Sequence, residues 1–391
     1  MLAAIQTHPI QYHAPVYRAL QQQFNVPVTA IYGSDFSVAG YRDAQFGATF
    51  SWDTDLLSGY SSVFLSRVAT GGSQQFTDVK STGLAARLAE LRPAAALIGG
   101  YSPQFHRSAF FHAWRAGIPI LFRAETTDVE TGPAWRRTVR RAALGTLYRR
   151  AGRLLYIGAR SKRHYEQLGC EDARLVFSPY CVDTSTFATD EEARLRLREH
   201  TRQELGADAD QCVILFSGKL ISKKRPDLLI DAVGDLPASL RRRVTVVFLG
   251  DGELHAALDA QRQTIADVRV VFTGFKNQKM LSPYYHAADL LALPSQHSET
   301  WGLVVNEALA HGLPCVVSTA VGCGEDLVLP GQTGELFEAG SRSGLTASLE
   351  RGVALTGRLD IRDACRARAA GYSVERAACG IAQAYHAVVG A

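Results

Sequence analysis

FSGKLISKKRPDLLIDAV (216–233) joins a short apolar run, a glycine-bearing turn and an amphipathic segment opening at Pro226. Proline suits the first position of a helix, so the order is strand, turn, helix. The same alternation recurs along the chain. Apolar runs at 213–216, 244–249, 268–272, 290–293 and 315–317 predict one parallel sheet, and runs at 2–6, 26–31, 94–98, 118–122, 154–157 and 175–177 predict another. Between them residues 178–190, opening with SPYCVDTSTF (178–187), read as a linker, with the boundary near 188. The fold class expected is α/β, with two Rossmann-like, doubly wound domains at 1–187 and 188–373 flanking an interdomain cleft. Ligands of such sheets sit beyond the carboxyl ends of the strands, so residues that follow strands are the candidates for chemistry.

Composition narrows the class. Of 391 residues 47% are hydrophobic and 20% charged, which excludes a disordered or fibrous chain. The net charge of +4 conceals an uneven spread: residues 1–185 hold 20 Lys+Arg against 13 Asp+Glu (+7), and 186–391 hold 22 against 25 (−3). Seven cysteines lie far apart with no Cys-x-x-Cys pair, which speaks against zinc and for free thiols in a reducing compartment. MLAAIQTH at the start has no charged signal region, and no run approaches the roughly 20 apolar residues of a membrane span. A cytoplasmic location is expected, with peripheral contact at the inner face of the membrane left open.

Two constellations stand out. Only seven of the 42 basic residues are lysines, yet Lys219, Lys223 and Lys224 crowd the loop after one predicted strand. A compact ammonium suits phosphate oxygens, and a loop leading into a helix N-terminus is an anion site; a solvated basic loop is the alternative. In SETWGLVVNEALAHGLPCVVS (298–318), Glu299 and Glu307 flank a Gly-containing turn and the start of a helix. The amides of Thr300, Trp301, Gly302 and Leu303 then lie at the helix entry. The plainer alternative makes Glu299 a partner of the helix dipole and Glu307 a surface acid.

These residues carry a resemblance. The pattern LPS, Glu-x-x-Gly, a second Glu and then EALAHGLPCVVS is similar to the donor-site signature of retaining glycosyltransferases of family 4, which have the GT-B fold. SGKLISKKRPDLLIDA, LGDGEL (249–254), VVFTGFKNQKMLSPYYHAADLLALPS (270–295) and VGCGEDLVLPGQTGELF (321–337) resemble its other segments in family order. The resemblance implies that Lys219 and Lys224 contact the donor diphosphate, that Glu299 holds the sugar hydroxyls and that Glu307 holds the ribose. By the same likeness Gly218, Gly250, Thr300, Trp301, Gly302 and Leu303 present backbone to the donor, while Phe275 and Lys276 border the base. Arg225 stands where the family commonly has Gly, and either reaches the cleft or covers the helix start. A last helix at about 374–391 is expected to pack back on the first domain, as in relatives. Donor cleavage leaves charge on a phosphate, which two lysines and helix-end amides stabilise without a metal; no cofactor is expected beyond the nucleotide sugar as substrate.

The first half is less explicit. His8 and Gln11 follow the first strand in THPIQYHAPVYRAL (7–20), Tyr101 and His106 lie in GGYSPQFH (99–106), and Arg123 and Glu125 close IPILFRAETTD (118–128). His8, Gln11, Tyr101, Arg123 and Glu125 are the acceptor or cleft candidates. For His8 a loop-stapling hydrogen bond is the rival reading, and for Arg123 a plain ion pair with Glu125. From 131 to 165 there is no acid and ten basic residues, Arg136, Arg137, Arg140 and Arg141 among them on one predicted helix face. This Arg-rich helix, 135–153, reads either as a cationic face on an anionic membrane or as a solvated surface. Nucleic acid is not an expected partner, because no recognition motif accompanies the charge.

The reading is a retaining, metal-independent glycosyltransferase that moves a sugar from a nucleotide-diphosphate donor to a glycan or lipid-linked acceptor in polysaccharide or glycoconjugate synthesis. The alternatives are a non-catalytic nucleotide-sugar-binding partner subunit and a GT-B sugar epimerase.

Overall fold

The structure, a computed structural model, describes the chain except residues 44–47, 51–52, 130–131, 188–189, 298 and 391, and the side chains of 41–43 and 48–50. Two compact units divide it: Met1–Tyr41, Thr49–Asp183 and Ser373–Ala391 form the first, Arg42–Ala48 and Thr184–Tyr372 the second. Residues 188–189, next to the boundary expected after 187, lie outside the described residues.

The strands run β1 Leu2–Gln6, β2 Val28–Tyr32, a short ribbon of β3 Tyr41–Asp43 and β4 Ala48–Phe50, then β5 Ser61–Phe64, β6 Ala95–Ile98, β7 Ile120–Arg123, β8 Arg153–Tyr156 and β9 Leu175–Phe177. The first unit's seven-stranded sheet has the order β5-β2-β1-β6-β7-β8-β9, all parallel. Its central strands are apolar on both faces, as parallel sheets covered by helices require. Along β1, Leu2 and Ala4 enter one core cluster and Ala3 and Ile5 the other, which is the period of two expected of a strand.

In the second unit β10 Cys212–Ser217, β11 Val244–Leu249, β12 Arg269–Gly274, β13 Leu290–Leu293, β14 Cys315–Ser318 and β15 Gly334–Phe337 form a parallel sheet ordered β12-β11-β10-β13-β14-β15. Two strands of the main sheets, β5 and β15, are absent from the sequence reading. Both are edge strands of four residues, and SSVF and GELF are too short and too polar for an apolar run.

The helix Val374–Val389 belongs to the first unit and starts at Ser373, whose side chain accepts the Arg376 amide. Ala377, Ala378 and Ile381 enter the core beside Leu2 and Ala4. The Ser178 hydroxyl donates to the Ala377 carbonyl at 2.9 Å. The Arg-rich helix is Ala134–Arg150; Arg153, expected within it, instead opens β8, because the chain leaves helical geometry at Ala151 to pair with β7. No helix among the described residues is long and apolar enough to cross a membrane.

Candidate functional site

In each sheet strand order reverses once, between β1 and β6 and between β10 and β13. At such a switch point the loops leave in opposite directions and open a crevice at the strands' carboxyl ends. Both groups of candidate residues gather there, each within its own unit.

In the second unit Lys219 leaves β10 through Gly218, which has φ +139°. The loop after β11 meets it backbone to backbone: a Cβ on Gly250 would lie 2.0 Å from the Gly218 carbonyl oxygen, so only glycine fits. A turn at Ser222–Lys224 then presents Lys224. Its Nζ lies 3.0 Å from Glu299 Oε2, and the pair is largely buried. The buried Ser295 hydroxyl donates to the same oxygen at 3.1 Å, and the Gln296 amide donates to the Lys223 carbonyl at 2.9 Å. The two loops are thereby laced together. Arg225, in left-handed conformation at φ +51°, pairs with Asp227 at 2.9 Å and donates to Gln296 at 3.2 Å. It covers the start of the helix Pro226–Gly234, settling one of the two readings of this position.

Gly302, at φ +101°, turns the chain into the helix Leu303–Ala310, which carries Glu307 one turn inside. Amides of a first helical turn have no partner within the helix. Glu307 is buried rather than a surface acid: the Tyr285 hydroxyl donates to Oε2 at 2.6 Å and Gln278 Nε2 donates to Oε1 at 3.5 Å. Burial pushes its carboxyl up, against the pull of these two donors and of Lys224. Behind it, His311 donates from Nδ1 to the Glu307 carbonyl at 2.7 Å and accepts the Ser282 hydroxyl at 2.9 Å, while its ring stacks on Tyr285. Trp301 is buried with its indole donating to Asn306 at 2.8 Å, so its ring packs inward and only its backbone faces the helix entry. Thr300 precedes it, and Phe275 and Lys276 follow β12 half-buried, Lys276 Nζ lying 5.9 Å from the Tyr284 ring.

In the first unit a cavity of about 250 Å³ lies at the ends of β1, β6 and β7. His8, His13, His106, Arg123, Glu125 and Tyr180 line it. Gln11 and Tyr101 do not: Gln11 is buried on the loop after β1, and Tyr101 accepts Arg140 Nη2 at 2.9 Å, tied to the basic helix. The ion pair weighed for Arg123 and Glu125 does not form. Arg123 donates from Nε to Ser178 Oγ at 3.0 Å and from Nη2 to the Pro179 carbonyl at 2.6 Å, under the Tyr180 ring. Tyr180 in turn donates its hydroxyl to Glu125. His8 bonds Thr7 Oγ1 at 2.9 Å and also lines the cavity. Burial holds His8 down to about 4 and His13 down to about 3, with Arg123 adding to the effect on His13.

Sequence reasoning missed Ser295, Gln278, Tyr285 and Tyr180 as partners of the candidate acids. Gln278, Tyr285 and Tyr180 reach theirs from a different element, where no local pattern marks the pairing, and Ser295 reaches Glu299 within one loop.

Residues 198–369 match the family of glycosyl transferases group 1, and residues 60–181 match the glycosyl transferase 4-like domain. The chain belongs to the group 1 glycosyl transferases, glycosyltransferase family 4. Among curated members, the D-inositol 3-phosphate glycosyltransferase of Geodermatophilus obscurus is 33% identical over 236 residues, covering 57% of this chain and 49% of its own. The chain spans about half or less of the length of the curated relatives it matches. Among solved structures, Anabaena HepE in complex with UDP and glucose superposes with a TM-score of 0.68 at 18% identity, covering 98% of both chains. The catalytic domain of starch synthase IV from Arabidopsis thaliana, bound to ADP and acarbose, gives 0.70 at 14% identity over 100% and 99%. The fold of this family 4 member is GT-B.

Proposed function

We propose that this chain is a retaining, metal-independent glycosyltransferase that carries a sugar from a nucleotide-diphosphate donor to a glycan or lipid-linked acceptor, in cell-surface polysaccharide or glycoconjugate synthesis. The observation that carries the reading is the Lys224–Glu299 pair, 3.0 Å apart beside Lys219 at the switch point of the second sheet. A cation for phosphate and a carboxylate for sugar hydroxyls stand within one donor's length. Family membership supports the activity, and the solved neighbours crystallised with UDP or ADP support the donor class.

In this reading Lys219, Lys224 and the amides of Trp301, Gly302 and Leu303 meet the diphosphate, while Glu299 orients the sugar and Glu307 the ribose. Gly218 and Gly250 keep the loop backbone close, and Phe275, Lys276 and Thr300 frame the nucleotide. As the bond from the anomeric carbon to the phosphate oxygen breaks, an acceptor hydroxyl oxygen bonds that carbon on the same face. Its proton passes to the departing phosphate, whose growing charge the lysines and helix-end dipoles stabilise. Acceptor binding falls to the first unit, through His8, Arg123 and Glu125, with Gln11 and Tyr101 supporting the loops.

The protein works in the cytoplasm at the membrane's inner face. Its support is the helix Ala134–Arg150, where Trp135 and Val139 are more than 60% exposed among the arginines. Phe111 and Trp114 are exposed nearby, and the Arg150 guanidinium lies 5.0 Å from the Trp114 ring. Exposed aromatics within a cationic field suit an anionic lipid surface.

A thermal-shift screen of nucleotide diphosphates and nucleotide sugars, followed by product detection with the matched donor, tests the reading. A matched donor raises the melting temperature by mass action. Donor binding without transfer to any acceptor mixture points to a partner subunit; no nucleotide binding at all overturns the assignment.

A further inference from the structure

Another cavity, of about 160 Å³, lies in the second unit at the amino ends of β13 and β14. Ala288 and Asp289, just ahead of β13, and Leu313 and Pro314, just ahead of β14, line it. The donor candidates follow the carboxyl ends of the strands, so this is a different place. Tyr285 and His311 line it too, and since they bond Glu307 they stand between the two sites.

Charge distinguishes this cavity. Arg194, Arg198 and Arg362 line it against one carboxylate, Asp289. Asp289 is engaged by the fold: it accepts Arg198 at 2.6 Å, Arg202 at 3.1 Å and the Val213 amide at 2.8 Å. Arg198 is engaged likewise, its Nη1 donating to the carbonyls of His286, Ala287 and Ala288. Arg194 and Arg362 differ. They come from two helices, Glu191–Leu205 and Leu359–Ala370, and share one carboxylate, that of Glu191, which Arg194 meets at 2.9 and 2.6 Å and Arg362 at 3.0 Å. Two guanidinium charges against one carboxylate leave one over. Arg366, one turn on from Arg362, stands at the same wall: a Cβ on Gly312, which lines the cavity, would lie 3.4 Å from its Nε. Burial, then the charge of Arg362, holds Arg366 below its usual value, with Arg194 adding to the effect while Glu191 and the exposed Asp363 pull the other way. The two sharing arginines are sunk, with side chains 13% and 17% exposed, whereas that of Glu191 is 54% exposed. A preorganised pair of forks therefore holds a carboxylate that can leave for water.

We propose that this cavity binds a phosphate dianion, free or as a monoester, which takes the place of Glu191 between the guanidinium groups of Arg194 and Arg362. Arginine forks meet phosphate oxygens as they meet a carboxylate, and a phosphate brings two charges where Glu191 brings one. About 160 Å³ is the space of on the order of five waters, room for a phosphoryl group and part of what carries it. Such a site stands whether or not the chain transfers sugars.

The full chain is titrated by calorimetry with inorganic phosphate, glycerol 3-phosphate and glucose 6-phosphate at about pH 7.5, where these are mostly dianions. Acetate and glucose serve as controls. At least one phosphate binds and neither control does. Arg362→Gln weakens that binding about tenfold, the worth of a hydrogen bond to a charged group. Glu191→Gln, which removes the resident competitor, tightens it about two- to fivefold, as the loss of a half-exposed ion pair allows. Arg194→Gln is a second route to the loss should Arg362→Gln fail to fold. Lys219 and Lys224 also attract phosphate, so the titration is repeated in the Lys219→Ala, Lys224→Ala double variant, which keeps the affinity. A monoester that binds more tightly than inorganic phosphate marks a phosphorylated sugar or polyol as the source, and equal or weaker binding marks free phosphate; either supports the site. No phosphate binding, binding lost with the two lysines, or unchanged affinity in Arg362→Gln or in Glu191→Gln overturns it. Failure of every nucleotide to bind overturns the glycosyltransferase reading and leaves this site standing.

Discussion

Lys224 and Glu299 already hold each other, so a donor must replace an existing partner on both. Removing the cation leaves a largely buried carboxylate unpaired and the departing phosphate without its nearest charge. Lys224→Ala is expected to lower kcat about 10²–10³-fold with a folded protein by circular dichroism; near-normal turnover would remove Lys224 from the chemistry. Glu307 makes a second prediction. Its folded carboxyl is raised above the unfolded value, so ionisation favours the unfolded chain once pH exceeds roughly 4.5, and stability falls as pH rises toward the folded value. Glu307→Gln should therefore raise Tm at neutral pH, lose that advantage below about pH 4, and still bind nucleotide more weakly. A Tm difference independent of pH would contradict the assigned cause. The spacing in SETWGLVVNEALA located both acids, but not Tyr285 and Gln278, which arrive from other elements, nor Ser295, which folds back from the same loop; these three set how the acids are held.

Among the elements, the helix Val374–Val389 closes the first unit's core although it follows the second unit in sequence. Gly380 lets it touch β9: a Cβ there would stand 2.0 Å from the Phe177 carbonyl oxygen. Backbone cannot yield as a flexible side chain does, so Gly380→Ala should destabilise the first unit by about 3 kcal/mol or more, read by denaturant melting. A loss below about 1 kcal/mol would show that the helix shifts freely. The helix Ala134–Arg150 has Leu144, Gly145 and Tyr148 as its buried residues, so its first turns are available to a surface. Replacing Arg136, Arg137, Arg140 and Arg141 by Gln should abolish salt-sensitive co-sedimentation with anionic vesicles; unchanged sedimentation would sink the membrane contact. Central strands were legible as apolar runs because they are covered on both faces. The edge strands β5 and β15 were not, since four residues that include two serines (SSVF) or a glycine and a glutamate (GELF) carry no such run.

Across the whole molecule, His8, His13 and His311 are held down to about 4, 3 and 3 by burial, and His106 is lowered as well. The unfolded chain takes up protons near 6.5 while the folded one does not, so stability is complete above that pH and lost as pH falls toward the folded values. Each of the three should lower stability by up to roughly 2 kcal/mol at pH 5. Both units hold such a residue, and both melting transitions should drop between about pH 7 and 5; a flat Tm there would mean that the imidazoles reach water. Glu191, held at about 2 by Arg194 and Arg362, acts only in a lower window, below about pH 4.5. What the sequence alone determined is the alternation that makes two parallel sheets, and the loops at their carboxyl ends that carry Lys219, Lys224, Glu299 and Glu307, because periodicity and spacing are local properties of the chain. Tertiary structure decided the rest: which strands lie side by side at each switch point, that Arg123 turns to Ser178 and Pro179 instead of Glu125, and that His106 Nε2 is buried without a hydrogen-bond partner among the described residues. Burial and partnership arise between residues far apart in sequence, and no spacing records them.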